Sequence, residues 1–491
     1  MGSATEGPQL TAEQAAAVDQ LLPALRNGEI GSLIGPAGSG KSFTLGHLLR
    51  ALEVEGLRCL VATPTHKAAR VCREFLAGAG AAARVCTVAS LLKLRPSLDR
   101  DGRIQFATRG ATEAASALRG ERPDLIVVDE SSMLNNGTAT DLWALAQEVE
   151  AGLLLVGDRA QLPPVNSTMA ALFLDPPGVR SELVTVRRNS GAVLQLATSL
   201  RQAQHPSLVW PTASSPAAQG GSRIVLHQWQ SGWLAAAARA ICNEAWDADP
   251  DGARVIAWAN RTAASLGQRL REQRYGAAAA RDWQIGEILI APGGIQSEGS
   301  ALAAPQAAAC SEFRILALEA PTRLEHLLGV HPWLTPTRQL ERELEVAAGT
   351  DAQRAQVENI VTGDELEVWL EPPGGVAESW GHQCREVRNS IRQHLDGGDR
   401  KKALAEVADL ESIVPVLRQA AALTCHSSQG SSFRSVFVAD DLRRCDGPEA
   451  RALSYVACSR ASEALHLLPM PRFADRIAVA AVAPQAVQEA A

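Results

Sequence analysis

The stretch Gly35-Pro36-Ala37-Gly38-Ser39-Gly40-Lys41-Ser42 lies between an apolar run at residues 29–34 and a helical pattern at residues 42–53. It matches G-x-x-x-x-G-K-[ST], a loop whose glycines let backbone N–H groups turn toward phosphate oxygens. The N-terminus of the following helix adds its dipole to such a site. We therefore predict that the stretch binds ATP, with Lys41 bridging the β- and γ-phosphates and the Ser42 hydroxyl binding Mg²⁺. The flanking strand and helix disfavour the alternative, a glycine-rich turn without a ligand.

Two further polar segments follow apolar runs and extend this site. Asp129 and Glu130 follow residues 124–128, and a carboxylate at the end of a buried parallel strand points into the crevice where ligands bind. We expect Asp129 to hold Mg²⁺ and Glu130 to orient and deprotonate the attacking water, although such a pair also serves as a helix cap. Gln161, in a segment that follows residues 153–156, is a neutral group suited to sensing the γ-phosphate.

The apolar runs predict an α/β fold with two RecA-like parallel-sheet domains of the P-loop NTPase type. The runs at residues 29–34, 58–63, 124–128 and 153–156 are apolar on both faces, as a parallel sheet covered by helices requires. Helical patterns at residues 42–53 and 66–77 lie between them. A second α/β unit begins with a strand at residues 254–258 and a helix at 262–273, and resumes with strands at 423–427, 435–438 and 464–468.

Two insertions interrupt this pattern. Asp101-Gly102, between short runs at residues 98–100 and 103–106, predicts a hairpin that projects from the first domain. Short strands and turns after residue 286 predict a small, mostly-β, SH3-like insertion in the second domain. This insertion includes a charged helix at residues 337–348 and a helical region at 390–409 broken at Gly397-Gly398. The predicted boundaries are 1–178 (with hairpin insertion 93–112), 179–286, 287–421, 422–472 and a tail at 473–491.

Composition limits the classes of protein that remain. A chain of 491 residues should contain two to four domains, and 46% hydrophobic with 21% charged residues indicates a globular protein. The net charge of −7 means that any DNA site must be a local groove with its own basic residues. The nine cysteines include no C-x-x-C pair, which favours reduced thiols. The first eight residues lack the apolar core of a signal peptide, and no run could span a bilayer, so we expect a cytoplasmic protein without a membrane partner.

Together these residues resemble superfamily 1 helicases of the 5′→3′ branch, the Dda-like and RecD-like enzymes. The resemblance extends from residue 10 to residue 468 with its motifs in order, and it is weakest at residues 293–420. Residues 255–260 and 286–290 resemble the Dda-type second domain and the start of its SH3-like insertion. The matched motifs are the Q-motif at residues 11–14, Ia at 62–69, Ib at 86–92, II at 129–133, III at 157–165, IV at 183–188, V at 424–430 and VI at 455–460.

The resemblance implies an ATP-dependent DNA helicase that translocates on single-stranded DNA, closing on ATP and opening after hydrolysis. Gln14 would read the adenine edge, and Gln429 and Gly430 would contact the nucleotide. Arg188, which the motif spacing favours over Arg187, and Arg460 would act as arginine fingers; the alternative for either is a surface salt bridge. The implied partners are single-stranded DNA, duplex forks and single-strand-binding or replication and recombination proteins, with the motor acting as a monomer.

The same motifs supply the predicted DNA contacts. Hydroxyls and backbone N–H groups where a strand ends and a helix begins suit phosphate contacts, although a cap or turn explains each hydroxyl equally well. Phe106 matches an aromatic of the Dda-like pin and would stack at the duplex fork, unless it packs as a core residue beneath the hairpin. The other predicted contacts are Thr63, Pro64, Thr65, His66, Thr87, Ser90, Thr424, His426 and Ser428.

One position departs from the family. Motif V usually reads Thr-x-His-Lys-x-Gln-Gly, and Ser427 here replaces the lysine. Ser427 supports one alternative, a nucleic-acid-binding accessory with impaired ATPase. Two others stay open independently of Ser427: an ATPase that strips proteins from DNA without unwinding it, and a motor of the opposite, UvrD-like polarity. Because the chemistry of the ATP site does not fix direction, the 5′→3′ polarity rests on the resemblance alone.

Overall fold

The computed structural model describes residues 9–108, 110–164, 167–186, 191–216, 221–323, 351–373, 380–445, 447 and 449–470. The helix predicted at residues 337–348 and the tail at 473–491 lie outside the described residues, as do Arg187 and Arg188. Contacts between residues divide the chain into two units. The first comprises residues 1–159, 163–188 and 267–420, and the second comprises 160–162, 189–266 and 421–491.

A six-stranded parallel sheet forms the centre of the first unit. Its strands are β1 (Ile30–Ile34), β2 (Cys59–Thr63), β3 (Arg84–Thr87), β6 (Leu125–Val128), β7 (Gly152–Gly157) and β8 (Val179–Glu182), in the order β3-β2-β6-β7-β1-β8. Alternate side chains enter two separate cores: Val61 and Val127 face one, while Leu60 and Ile126 face the other. Burial on both faces explains why β1, β2, β6 and β7 were readable as continuous apolar runs. The edge strands β3 and β8 are partly exposed and were not predicted.

Helices cover both faces of this sheet, and a separate β-hairpin is inserted between β3 and β6. The helices are α1 (Ala12–Arg26), α2 (Lys41–Val54), α3 (His66–Ala79), α4 (Val88–Leu91), α5 (Ala111–Ser116), α6 (Asn136–Glu148) and α7 (Ala171–Leu174). The hairpin consists of antiparallel strands β4 (Arg95–Leu98) and β5 (Ile104–Ala107), with Gly102 left-handed in its turn, as the Asp-Gly pair predicts.

The second unit contains a five-stranded parallel sheet. Its strands are β9 (Arg223–Leu226), β10 (Ala253–Ala257), β17 (Ala422–Thr424), β18 (Phe433–Val438) and β19 (Ala461–Leu467), in the order β17-β10-β18-β19-β9. Its helices are α8 (Ala192–Gln202), α9 (Gln230–Ile241), α10 (Glu244–Ala248), the first part of α11 (Asn260–Ala279), α14 (Asp440–Arg443) and α15 (Ala450–Ser459).

The strand predicted at residues 423–427 is shorter than expected. It ends at Thr424, because the Thr424 hydroxyl accepts a hydrogen bond from the Ser427 backbone N–H at 3.3 Å and turns the chain. Such side-chain-to-backbone bonds compete with strand pairing. Helix α11 is longer than predicted and bends at Gly276, whose φ is +81°.

The remaining sheet is antiparallel, and its contacts make it part of the first unit. Its strands are β11 (Ile288–Ala291), β12 (Ser311–Leu318), β13 (Thr322–Arg323), β14 (Asp351–Asn359), β15 (Glu365–Leu370) and β16 (Arg418–Gln419). Two helices follow it, α12 (Trp380–His394) and α13 (Gly397–Ile413), and the second begins at the predicted break. Across the described helices, none combines the length and apolar character needed to cross a membrane.

Candidate active site

The phosphate-binding loop follows β1 and ends where α2 begins. Gly38 and Gly40 adopt left-handed conformations, with φ values of +80° and +87°. A Cβ at Gly40 would displace the side-chain amide of Gln14, and the left-handed φ strains any other residue, so the position favours glycine. The Lys41 ammonium donates to the backbone carbonyls of Gly35 at 2.9 Å and Pro36 at 3.0 Å, which folds the side chain across the loop.

Gln14 ties α1 to this loop. Its Oε1 accepts a hydrogen bond from the Thr11 backbone N–H at 3.1 Å, and the Thr11 hydroxyl accepts one from the Gln14 N–H at 3.3 Å, which forms a capping box. Its Nε2 lies 3.5 Å from the Ser39 carbonyl oxygen. Gln14 therefore supports the loop directly, and its role in reading adenine stays a prediction.

Asp129 and Glu130 follow β6 at the carboxyl edge of the first sheet. Burial raises the pKa of Asp129 to about 6; the charge of Glu130 adds to this rise, whereas the Glu130 backbone N–H and the charge of Lys41 oppose it. That N–H donates to Asp129 Oδ1 at 2.9 Å. Glu130 itself has a φ of +53°, a left-handed conformation that is strained for a residue with a side chain. Strain of this kind is concentrated at functional sites.

These residues fit ATP and Mg²⁺. Burial and the neighbouring Glu130 disfavour the charged form of Asp129, and a bound cation would favour that form. The Ser39 hydroxyl is buried and has no hydrogen-bond partner among the described residues, in a loop that has the phosphate-binding sequence pattern. In the described part of the chain, no three His, Cys, Asp or Glu side chains cluster as a metal site. Mg²⁺ held by Ser42 and Asp129 would accordingly complete its shell with phosphate and water oxygens, as this ion commonly does.

Gln161 and Gln429 both lie in the second unit. Gln161 is buried, and its side-chain oxygen has no hydrogen-bond partner within the described ranges. A buried amide oxygen without a hydrogen-bond partner lowers the stability of the fold, and such atoms are typical of sites that a ligand completes. Gln429 is also buried and donates to the Leu162 backbone carbonyl at 3.2 Å, and Gly430 after it is left-handed with a φ of +72°.

Arg460 ends α15 and is buried. Its guanidinium donates to the carbonyls of Val456 at 3.2 Å and Ser431 at 3.1 Å, and to the Ser459 hydroxyl at 3.1 Å. Arg460 is thus fixed within its own unit and is not a surface salt bridge. Arg188, the other predicted arginine finger, and its neighbour Arg187 lie outside the described residues, so their roles stay predictions.

The hydroxyls predicted to contact DNA in the first unit also serve the backbone. Thr87 caps α4 by accepting from the Ser90 N–H at 3.1 Å, and Thr65 caps α3 by accepting from the Ala68 N–H at 3.1 Å. Thr63 is buried, and its hydroxyl donates to the Thr65 carbonyl at 3.0 Å. The side chains left accessible at this edge are Pro64, which is half-buried, and His66 and Ser90, which are exposed.

Phe106 lies on β5 of the hairpin and is 44% exposed. The alternative that it packs as a core residue beneath the hairpin is therefore wrong. An exposed aromatic on a projecting hairpin is available to stack on a base pair, as the resemblance to the Dda-like pin implies.

The turn after β17 carries the corresponding groups of the second unit. The hydroxyls of Thr424 and Ser427 lie 3.0 Å apart, and the buried Ser428 hydroxyl donates to the Cys425 carbonyl at 2.7 Å. His426 is half-buried, and burial lowers the pKa of its imidazole, although the charge of Glu449 acts in the opposite direction. A neutral imidazole at this edge could donate a hydrogen bond to a phosphate without carrying a charge.

One exposed residue beside this turn was missed as a site by sequence reasoning. Trp258 follows β10 directly and is 44% exposed. Its position in the segment 255–260, which already resembles the Dda-type second domain, was the available signal. An aromatic just past the end of a buried parallel strand lies where ligands bind in such sheets.

Comparisons with known proteins match both halves of the chain. Residues 9–214 match an AAA domain, and residues 419–468 match a UvrD-like helicase C-terminal domain. The chain is 32% identical over 200 residues (40% of this chain) to the ATP-dependent RecD2 DNA helicase of Deinococcus radiodurans, and 27% identical over 156 residues (30% of this chain) to an uncharacterized protein of Acanthamoeba polyphaga mimivirus. The matched segments cover 25% and 31% of those relatives' own lengths.

Among solved structures, the Pif1 helicase from Bacteroides in complex with ADP-AlF3 and single-stranded DNA is similar over 96% of this chain and 97% of its own. The TM-score is 0.46 and the sequence identity is 15%.

Proposed function

We propose that the chain is an ATP-dependent DNA helicase, because an AAA domain and a UvrD-like helicase C-terminal domain both match it. The resemblance stated from the sequence is confirmed at the level of these two domains. The observation that carries the proposal is the ATP site, in which Lys41 lies across a glycine-rich loop and strained Glu130 follows Asp129. The proposed activity is translocation along single-stranded DNA in the 5′→3′ direction, with separation of duplex ahead of the motor.

Each residue of the matched ATP motifs has a defined task in this proposal. Lys41 binds and neutralises the phosphates, and Ser42 and Asp129 hold the cation. The carboxylate of Glu130 accepts a proton from the attacking water and orients it. ATP with Mg²⁺ supplies the phosphoryl group and the positive charge that draws electrons from it. Arg188 and Arg460 are proposed as arginine fingers, and Gln161 as the group that senses the terminal phosphate.

The DNA track is proposed along the carboxyl edges of the two parallel sheets. Backbone N–H groups and accessible polar side chains there would contact phosphates, which fixes the strand without reading its sequence. Within the matched motifs, His66 and Ser90 are exposed and His426 is half-buried, so these side chains are proposed to make such contacts. Phe106 on the exposed hairpin is the proposed wedge between the separating strands.

ATP hydrolysis with and without single-stranded DNA tests the proposal. Wild type should hydrolyse ATP faster when an oligonucleotide is present. Lys41→Ala should lose nucleotide binding, whereas Glu130→Gln should bind ATP and lose about 10²–10⁴-fold in kcat. Glu148, exposed at the end of α6, offers a matched carboxylate control, and Glu148→Gln should behave as wild type. Absence of hydrolysis by wild type at saturating oligonucleotide would overturn the proposal and favour the accessory with impaired ATPase.

Assays of unwinding and of protein displacement distinguish a helicase from the remaining alternative, a motor that strips proteins without unwinding. A helicase releases the labelled strand of a forked duplex, and it also displaces streptavidin from a biotinylated single strand. A motor that strips proteins without unwinding performs only the second reaction. Release of the labelled strand, dependent on ATP and lost in Lys41→Ala, is the expected result.

A further inference from the structure

Trp258 is an exposed aromatic on a rigid backbone. It directly follows β10, and 44% of its surface is accessible. The Asp441 carboxylate accepts hydrogen bonds from the backbone N–H of Trp258 at 3.1 Å and of Ala259 at 3.0 Å. These two bonds fix the main chain that carries the indole. A large apolar side chain held in this way at the surface loses less conformational entropy when it binds a ligand.

The neighbours of Trp258 are the motif V residues. Strand β10 pairs with β17 in parallel, and Ala257 lies opposite Thr424. The pairing continues one residue further, because the Cys425 N–H donates to the Ala257 carbonyl at 2.8 Å. Trp258 therefore lies beside the turn that carries His426, at the same carboxyl edge of the sheet.

The charges around Trp258 permit a nucleic acid to approach. Asp440 forms ion pairs with Arg443 and Arg444, and the Asp441 carboxylate binds the two backbone N–H groups described above. Both carboxylates are thus engaged. Arg261 is exposed in the first turn of α11, three residues after Trp258, and adds a positive charge. This surface combines an apolar ring with polar and cationic neighbours.

We propose that Trp258 stacks on an unpaired base of single-stranded DNA while the motif V turn contacts the adjoining backbone. The inference rests on the proposed helicase function and adds to it a base-stacking contact in the second unit. Every base has a π-face, so a tryptophan platform grips a strand without reading its sequence, as a translocating motor requires. Stacking releases no counterions, so this contact adds affinity that salt does not screen.

Trp229 provides a matched control. It is 73% exposed and precedes α9 in the same unit. Strand β9, which leads to it, is three places from β10 in the sheet, about 14 Å at the usual strand spacing. Trp229 thus shares the exposure of Trp258 without its position beside the motif V turn.

Binding of oligothymidylate to the full-length protein over a range of salt concentrations tests the proposal. Trp258→Ala should weaken binding about tenfold, while the slope of log affinity against log salt stays at the wild-type value. Trp258→Phe should retain most of the affinity, and Trp229→Ala should match wild type. A strand with abasic sites should bind wild type and Trp258→Ala equally, because no base is left to stack. Trp258→Leu, which keeps apolar bulk without a ring, substitutes for the alanine variant if that protein unfolds.

The outcomes separate this inference from the proposed function. If Trp258→Ala bound oligothymidylate as tightly as Trp229→Ala did, stacking would be overturned while the helicase function stood. An equal loss on the abasic strand, or a shallower salt slope, would show that Trp258 supports phosphate contacts instead and would also overturn stacking. If wild type bound no oligothymidylate and gained no ATPase from it, both the function and the inference would fail.

Discussion

Glu130, the proposed activator of the attacking water, also has a strained backbone conformation. Its φ of +53° is left-handed, a conformation that costs a residue with a side chain about 1–2 kcal/mol. Replacement by glycine removes that cost, although glycine also gains conformational freedom in the unfolded chain. Glu130→Gly should therefore raise the free energy of unfolding by about 0.5–1 kcal/mol and abolish ATP hydrolysis.

Urea unfolding together with ATPase assays checks this prediction. Glu150 is also left-handed, with a φ of +56°, and is exposed after α6. Glu150→Gly should stabilise the protein to a similar degree and leave hydrolysis intact. A Glu130→Gly protein less stable than wild type would show that the Glu130 side chain stabilises the fold more than its strain costs.

Ser427 occupies the motif V position at which the family that this chain resembles carries lysine. Its hydroxyl lies 3.0 Å from the Thr424 hydroxyl, at the edge proposed to hold DNA. Ser427→Lys adds a cation there, and one new phosphate contact should steepen the slope of log affinity against log salt by about 0.7 for single strands. Ser427→Met supplies similar bulk without charge and should leave the slope unchanged. A lower KM for ATP with an unaltered DNA slope would instead assign the position to nucleotide contact.

At the scale of elements, the hairpin turn packs against the helices that follow the antiparallel sheet. Gly102, with a φ of +71°, has so little space that a Cβ would lie 2.7 Å from Leu404 Cδ2 on α13. Arg392 on α12 donates to the Asp101 carbonyl, and its guanidinium lies 3.7 Å from the Asp101 carboxylate. The hairpin is thus held at its tip as well as at its base.

Gly102→Ala should release this tip. Alanine is strained in the left-handed conformation, and its Cβ is too close to Leu404. Together these effects should lower the free energy of unfolding by about 2–4 kcal/mol. Gly363→Ala is the matched control, because Gly363 is left-handed with a φ of +75° but has open space around its Cβ position. Hydrogen exchange in β4 and β5 should accelerate in Gly102→Ala alone. Equal exchange rates in the two variants would mean that the contact with α13 does not hold the hairpin.

A histidine pair, with His466 on β19 and His227 just after the edge strand β9, makes stability depend on pH. His227 Nε2 and His466 Nδ1 lie 2.9 Å apart, and the His466 ring stacks on Phe437 at 4.0 Å between centroids. Burial, then the charges of His227 and Arg223, lower the pKa of His466 to about 4. The unfolded chain binds a proton at a higher pH, so this contribution to stability is present above about pH 6.5 and is lost as the pH falls toward 4.

Thermal unfolding between about pH 7 and pH 5 measures this effect. The wild-type protein should lose about 1–3 kcal/mol over the window from His466, in addition to the losses from other groups. His466→Phe keeps an aromatic ring on Phe437 and removes the titrating group, so its stability should depend less on pH. Parallel pH profiles for the two proteins would exclude His466 as the cause.

At the scale of the whole molecule, local patterns predicted the central strands of the parallel sheets and the outline of the ATP site, but not β3, β8 or β9. Strand β1 matches the run at residues 29–34 to within one residue, because burial on both faces leaves a continuous apolar signal. Gly40 and Lys41 were readable because backbone geometry around phosphates restricts the residue types. The hairpin followed from its Asp-Gly turn.

Features that depend on distant contacts, or on contacts with more than one meaning, could not be predicted from the sequence. The antiparallel sheet pairs β14 with both β12 and β15, a register that no local pattern encodes. The hydroxyl of Thr87 caps a helix, and a sequence offers no means of distinguishing such a cap from a phosphate contact. Trp258 lies in a segment that the sequence already marked, but its exposure and its place beside residue 425 required the structure.

Direction of travel is a property of the whole motor. A helicase loads on the single-stranded tail of a tailed duplex. A helicase that moves 5′→3′ reaches the duplex from a 5′ tail, whereas one that moves 3′→5′ reaches it from a 3′ tail. The Dda-like and RecD-like resemblance predicts that duplexes with a 5′ tail are unwound and those with a 3′ tail are not. Strand release from the two substrates, at equal ATP and protein, measures this directly.

Phe106→Ala supplies the control for that experiment, since the exposed ring lies on the hairpin and not in the ATP site. The variant should keep ATP hydrolysis stimulated by either tailed substrate but lose strand release from the 5′-tailed one. Release from the 3′-tailed duplex alone would assign the UvrD-like polarity and leave the ATP-site chemistry untouched. Equal release by Phe106→Ala and wild type would remove the wedge role and place strand separation elsewhere on the molecule.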